Sequence, residues 1–348
     1  MKSKKQNVFQ RKKNAMFQYI ALFFMISILT VITGCLNGQN ASLAEDSSIE
    51  QSRNDYNRKD ILADTASMLL EKTVEPSYGS VSGEWLVFGL SRWEGEVQQE
   101  WFDSYYQSLT AYLQECEGVL DERKYTEYSR VILALTALGK NPEDVSGYNL
   151  LTPLADYEQT IFQGINGPAY ALLALDSGNY DIPEVTTVQT QATRELYLKY
   201  LLENELEGGG WSLAGSEPEA DITAMILQAL AKYQDRLEVA DAVSRGVEIL
   251  AKLQNDHGGY TSYDSESSET ISQVIVALCE LGISVEDERF VKQGHTLEDC
   301  LMDYRTQDGG FMHVLGGDSN LIAAEQAFYA LVALERAETG MSSLYRIS

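Results

Sequence analysis

The sequence predicts an all-α fold of six helical hairpins, and two observations carry that prediction. A small residue followed by leucine recurs six times, as Gly89-Leu90, Ala134-Leu135, Ala171-Leu172, Ala229-Leu230, Ala277-Leu278 and Ala330-Leu331, at intervals of 37 to 58 residues. Before each of the last three pairs comes a glycine-rich turn with an aromatic: Gly209-Gly210-Trp211, Gly258-Gly259-Tyr260 and Gly309-Gly310-Phe311. A two-helix unit of this size cannot bury its own apolar face, so neighbouring units must stack to make a core.

The hairpins can be followed along the chain. The first pairs residues 61–71 with 85–91, the second 97–116 with 127–138, and the third 148–157 with 168–175. Pro168 suits the first turn of its helix, where no amide donor is lost. In the fourth, residues 193–203 place Leu196, Tyr197, Tyr200 and Leu201 on one helical face. Gly208 to Gly210 then end that helix and permit a tight reversal, with Trp211 as an apolar plug. Asp221 and Thr223 open an inner helix over 224–233 that is apolar nearly all round, the mark of a helix buried on both sides. The fifth hairpin pairs 240–253 with 269–281, and the sixth 297–304 with 323–335. No β-rich segment appears. Neither end carries the polar capping helix that open arrays use, so the hairpins are expected to close into an α/α toroid over residues 59–348.

The charge balance narrows the partners. With 52 acidic and 26 basic residues the chain carries a net charge of −26, which repels phosphate backbones and speaks against nucleic acid. The six charged residues of the first 34 are all basic, and an apolar run from Ala15 to Thr33 follows them. Ile32-Thr33-Gly34-Cys35 closes that run and resembles a bacterial lipobox. The expectation is a signal peptide over 1–34 and a diacylated Cys35 that anchors the protein to the outer face of the cell membrane, an uncleaved helix being the alternative. Residues 35–58 are polar and read as a flexible tether. The domain cysteines Cys116, Cys279 and Cys300 are too few for a disulfide framework, and a single Cys279–Cys300 bridge stays open.

The Gly-Gly-aromatic turns and acidic inner-helix starts resemble the repeats of squalene cyclases and protein prenyltransferase β subunits. They are also similar to the helical domain of the cobalamin carriers, intrinsic factor and transcobalamin. Tyr125-Thr126-Glu127-Tyr128-Ser129-Arg130, Gln163-Gly164-Ile165-Asn166-Gly167-Pro168 and Ala324-Glu325-Gln326-Ala327 resemble lipid-anchored toroid proteins of Gram-positive bacteria. The resemblance spans about residue 59 onward and speaks to fold, which alone does not fix function.

Each implied activity can be held against the residues. Class II terpene cyclases use an Asp-x-Asp-Asp-Thr-Ala acid, and the matching stretch here is Glu219-Ala220-Asp221-Ile222-Thr223-Ala224. Asp221 is retained, with Ile222 in place of the next acid; helix capping is its plainer role. The zinc ligands of prenyltransferases and the Cys-Gly-Glu-Gln of thioester proteins are absent, so no metal or other cofactor is expected. In a toroid the inner helices run in one direction, and their N-termini converge on one mouth. Glu127, Gln163, Asn166, Asp221, Glu269, Gln273, Glu325 and Gln326 are the candidates for a polar ligand cup there, with Trp211, Tyr260, Phe311 and Tyr329 as walls. For the acids and amides the plainer role is capping, and for the aromatics it is packing over the turns.

The expected function is binding of a ligand or surface protein rather than catalysis. Three alternatives stand beside it. One is a terpenoid cyclase or prenyltransferase-like enzyme with Asp221 as its acid. Another is a carbohydrate-active toroid with paired carboxylates. The third is a corrinoid-binding subunit.

Overall fold

The computed structural model describes residues 56–81, 83–262 and 265–347. The expected signal peptide, Cys35 and the tether as far as residue 55 lie outside the described residues. Among the described residues are twelve α-helices: α1 Arg58–Lys72, α2 Glu84–Arg92, α3 Gln99–Glu115, α4 Thr126–Ala137, α5 Tyr157–Ile161 and α6 Asn166–Ser177 form the first three hairpins. The last three comprise α7 Arg194–Glu203, α8 Ala220–Leu230, α9 Leu237–Leu253, α10 Ser268–Leu281, α11 Leu297–Met302 and α12 Leu321–Glu338. None is long and apolar enough to cross a membrane.

Odd-numbered helices lie outside and even-numbered ones inside, as their sequences dictate. α9 buries Val239, Ala242, Val243, Gly246, Val247 and Leu250, a single stripe at helical spacing. α8 buries Ala220 and every residue from Ile222 to Leu230. Polar caps set several starts: Thr193 accepts from the Leu196 amide, Ser267 from Thr270, and Asn320 from Ile322 and Ala323. Thr296 and Asp299 form a capping box at α11.

Each inner helix packs on the next, from α2 through α4, α6, α8 and α10 to α12, and α12 packs back on α1 and α2. The ring is closed, and the fold is an α/α toroid. The small residues of the recurring pairs allow these approaches: a Cβ on Gly89 would lie 3.3 Å from Phe328 and Tyr329 of α12. At the seam Arg58 grips Glu298 through two nitrogens, at 2.5 and 2.6 Å, and reaches Glu338 at 2.6 Å. Thr65 also donates to the Gly309 carbonyl, docking the first outer helix on the sixth repeat's turn.

The three Gly-Gly-aromatic turns share one hydrogen-bond pattern. Leu206, Asn255 and Thr306 donate to the carbonyls of Gly210, Gly259 and Gly310, and accept from the amides of Gly209, Gly258 and Gly309. Gly209, Gly258 and Gly309 hold φ of 107°, 89° and 86°, a region closed to most side chains. Trp211, Tyr260 and Phe311 are completely buried beneath these turns, so they do not line a cup. The indole of Trp211 is spent on the Leu201 carbonyl at 2.8 Å.

Two details differ from expectation, and the open question of a Cys279–Cys300 bridge is answered. The third outer segment is a 3-10 turn over Thr152–Ala155 followed by α5, not one helix over 148–157. Pro153 starts the 3-10 turn, and the Asp156 side chain caps α5 by accepting from Gln159, so a new helix begins where the old one was expected to end. A two-residue β-hairpin, Thr261–Ser262 with Ser265–Glu266, precedes α10. Cys116, Cys279 and Cys300 are all free thiols.

Beyond α12 the chain crosses the C-terminal ends of the inner helices as a strap. Arg92 donates to the carbonyls of Ser343 and Leu344, and Arg336 to that of Ser342. Glu280 accepts from the Ser343 hydroxyl and the Tyr345 amide. The Tyr345 ring stacks on Phe88 at 5.4 Å, and its hydroxyl meets Gln228 at 3.1 Å. This strap covers the end of the ring at the inner helices' C-termini.

Candidate active site

The recurring pairs provide a register for the ring's interior. The residues five before each small residue are Glu84, Ser129, Asn166, Ala224, Ser272 and Glu325; those four before are Trp85, Arg130, Gly167, Met225, Gln273 and Gln326. One turn deeper come Phe88, Leu133, Tyr170, Gln228, Val276 and Tyr329. On a helix these positions share a face, and the contacts between helices follow that register.

Arg130 is the cation of the upper layer. Its guanidinium lies 3.1 Å from the buried Glu84 carboxylate and 2.5 Å from Glu127. Glu84 also accepts from the Gly79 amide at 3.0 Å and the Tyr105 hydroxyl at 3.2 Å. Burial pushes the Glu127 carboxyl up; Arg130 pulls it back only in part, and Glu84 adds to the rise. Trp85 sits beside this cluster, its ring centroid 5.8 Å from Tyr170 and 6.1 Å from Tyr329.

Glu325 is the most perturbed carboxyl of this layer. It is 6% exposed, and its Oε2 has no hydrogen-bond partner. Burial pushes it up to about 8; Arg130 draws it down and Glu84 raises it. At neutral pH it therefore holds its proton. Three more buried oxygens on inner helices lack a partner, Ser129 Oγ, Asn166 Oδ1 and Asp221 Oδ1, as does the donor Arg130 Nε. Buried polar atoms are satisfied in nearly all native structures, and an unsatisfied group marks a place where water or ligand belongs. Four such oxygens, on α4, α6, α8 and α12, make this layer the candidate site.

Asp221 is not the helix cap. Glu219 occupies that position, and Asp221 is the second residue of α8. Burial raises its carboxyl more than the backbone amides of Ile222 and Asp221 itself lower it. Its charge and that of Arg130 both reach Tyr170.

The remaining candidates divide. Gln273 donates to Gln326 at 3.1 Å and to the Tyr329 hydroxyl at 2.5 Å, while Gln228 donates to Gln273 at 3.0 Å. These amides form a hydrogen-bonded floor that continues to Tyr345 of the strap. Glu269 is held on the rim by His313 at 2.8 Å. Gln163 accepts from the Thr126 amide at 3.0 Å and serves the start of α4. Among the described residues no group of three His, Cys, Asp or Glu is placed to hold a metal.

Sequence reasoning passed over Glu84, Trp85, Arg130 and Tyr170. The signal was available: Glu84 and Glu325 stand at the same offset from their small residues, in the two repeats that ring closure makes neighbours.

Comparison with known proteins agrees with the ring. Residues 198–306 match the family model of the squalene-hopene cyclase C-terminal domain. No curated protein matches the sequence. Among solved structures, the chain is similar to unsaturated glucuronyl hydrolase from Bacillus sp. GL1, an enzyme responsible for the degradation of glycosaminoglycan. The identity is 12%, the TM-score 0.54, and the match covers 83% of this chain and 99% of that one. A UGL structure described with dGlcA-Glc-Rha-Glc gives 12% identity, a TM-score of 0.55, and coverage of 83% and 98%. A protein from Actinoplanes gives 12%, 0.50, and coverage of 81% and 100%. At such identities the likeness is one of fold. The expectation of a ring that binds rather than catalyses is nonetheless overturned, because the solved rings it matches include a carbohydrate-active hydrolase.

Proposed function

We propose that the protein is a carbohydrate-active enzyme whose cup cleaves a sugar linkage with Glu325 as general acid. One observation carries this reading: the buried Glu325 carboxyl, pushed up to about 8, has an unpartnered oxygen in the layer that holds Glu84, Arg130, Gln273 and Gln326. A general acid is most useful when its pKa lies near the working pH. Glu325 donates its proton to the leaving oxygen as the C–O bond breaks. Glu127, raised by burial and held by Arg130, takes a proton from the attacking water. The half-buried Trp85 and Tyr170 offer flat faces to a sugar ring, and the glutamine floor offers hydrogen bonds to its hydroxyls.

The test is to incubate the full chain with a panel of neutral, cationic and anionic oligosaccharides and measure new reducing ends. Wild type should release product from at least one. Glu325→Gln should lower kcat by about 100-fold or more with melting retained near neutral pH. A well-folded wild type inert on the whole panel would remove the proposal.

The squalene-hopene cyclase match favours a second reading, in which Asp221 protonates an alkene. That chemistry needs apolar walls around a carbocation, whereas Gln228, Gln273 and Gln326 line the floor here. Cyclised product from squalene, lost in Asp221→Asn, would establish it instead.

The lipobox around Cys35 supports a further part of the reading, an enzyme held at the outer membrane face by lipid. Intact-mass measurement of membrane-extracted protein should find a chain beginning at diacylated Cys35. Unchanged anchoring of Cys35→Ala would exclude it.

A further inference from the structure

We propose that Arg123 and Lys124, beside Glu127, form an outer subsite for an acidic substituent on the glycan, an inference that rests on the carbohydrate reading above. Asp121 Oδ1 accepts from the backbone amides of both residues at 2.8 Å, so one tight turn ahead of α4 presents the two cations together. The Arg123 guanidinium lies over the Phe162 ring, 4.4 Å from its centroid, and makes no side-chain hydrogen bond or ion pair among the described residues. Lys124 makes no ion pair there either, although its charge draws the Glu127 carboxyl down. The Gln163 side chain accepts from the Thr126 amide at 3.0 Å, which fixes the segment carrying Phe162 against the start of α4.

The chemistry of the pair favours an anion. A guanidinium stacked on a ring keeps its planar N–H edge free, and that edge matches two oxygens of a carboxylate or phosphate. Stacking also restricts the side chain before a ligand arrives, which lowers the cost of binding. Phe162 is 54% exposed and Arg123 is exposed, so the pair is open to a ligand without any rearrangement of the ring. The Glu127 amide donates to the Lys124 carbonyl at 3.0 Å, so an acid held at this turn brings the adjoining sugar toward Glu127 and Arg130. Arg130 Nε, buried without a hydrogen-bond partner, adds an unspent donor beyond Glu127. The net charge of −26 does not outweigh these neighbours. At about 0.15 M salt, charges more than about 8 Å apart are largely screened, so a single acid group responds to what lies nearest. Of the two acids in the turn, Asp121 is spent on the amides and Glu122 is exposed to that screening.

Calorimetric titration of the full chain at about 0.15 M salt tests this. The probes are a galacturonate tetramer, its methyl ester, which keeps the sugar and removes the charge, and inorganic phosphate. The acid tetramer should bind at one site, about ten-fold or more tighter than the ester, and phosphate alone should bind more weakly than the tetramer. Arg123→Gln, with native melting, should reduce the preference for the acid to about three-fold or less, while Lys252→Gln on the outer helix α9 should leave it intact. Ester binding as tight as acid binding, or a preference unchanged in Arg123→Gln, would overturn the inference. Phosphate binding as tightly as the tetramer would also overturn it, leaving an anion site with no recognition of a glycan. Cleavage of glycans with no preference for an acidic unit would sink the inference and leave the enzyme reading standing. Acid binding through Arg123 with no glycan cleaved would do the reverse, upholding the subsite and removing catalysis. Failure to bind or cleave any glycan would remove both.

Discussion

Glu325 shows how a single side chain can link folding to chemistry. Folded, it keeps its proton to about pH 8; unfolded, it releases it near the ordinary value of 4.5. Between those values the folded chain binds the extra proton, so stability falls as pH rises through that window and levels off above it. The contribution is on the order of a few kcal/mol. Wild type should therefore melt lower at pH 9 than at pH 5, and Glu325→Gln should flatten that slope in thermal scans. A slope unchanged in the variant would place the titrating group elsewhere. If Glu325 is also the acid, kcat/KM must fall on the alkaline side as pH passes about 8, since the deprotonated form has no proton to give.

Among the elements, the glycine turns make the sharpest contrast. Gly258 combines a φ of 89° with a neighbour, since a Cβ there would lie 2.2 Å from Cys300 Sγ. Gly208 has a φ of 93° and open space around it. Gly208→Ala should cost about 1–2 kcal/mol, the strain of a left-handed conformation alone, and Gly258→Ala clearly more because Cys300 must also move. Urea melts of the two variants compare them, and equal losses would show that the Cys300 contact contributes nothing. The helices themselves were legible because inner segments are apolar on all sides and outer ones in a stripe. The third outer segment was not, since Pro153 and Asp156 reset the chain within a stretch of helical-looking spacing. Half of the cup was legible for a similar reason. Polar residues at inner-helix starts stood out, whereas Arg130 and Tyr170 lie one turn further in, and Glu84 and Trp85 become neighbours of α12 only when the ring closes.

The described helices form a closed ring with one end covered. The seam is tied by Arg58 and by Thr65 on the Gly309 carbonyl, and the covered end by the strap. Arg92 is central to that end: burial, together with the like charge of Arg336, lowers it to about 10, and its donors hold the strap carbonyls. Arg92→Met should release the strap at about 2–4 kcal/mol of stability, because buried carbonyls lose charge-assisted donors. Limited proteolysis should then cut after Met341 or Arg346 while the helical circular dichroism persists. Full protection of the strap in that variant would mean that Tyr345 and Leu344 hold it by packing alone.

The Glu325 carboxyl, buried within the closed helical ring, is pushed up to about 8. Carbon-13 NMR titration of side-chain carboxyl-labelled glutamate in the ligand-free chain observes that group directly. One resonance should titrate near pH 8 and vanish in Glu325→Gln. A Glu325 signal with its midpoint near the ordinary value of 4.5 would contradict the account, because the cup would then hold no acid at neutral pH.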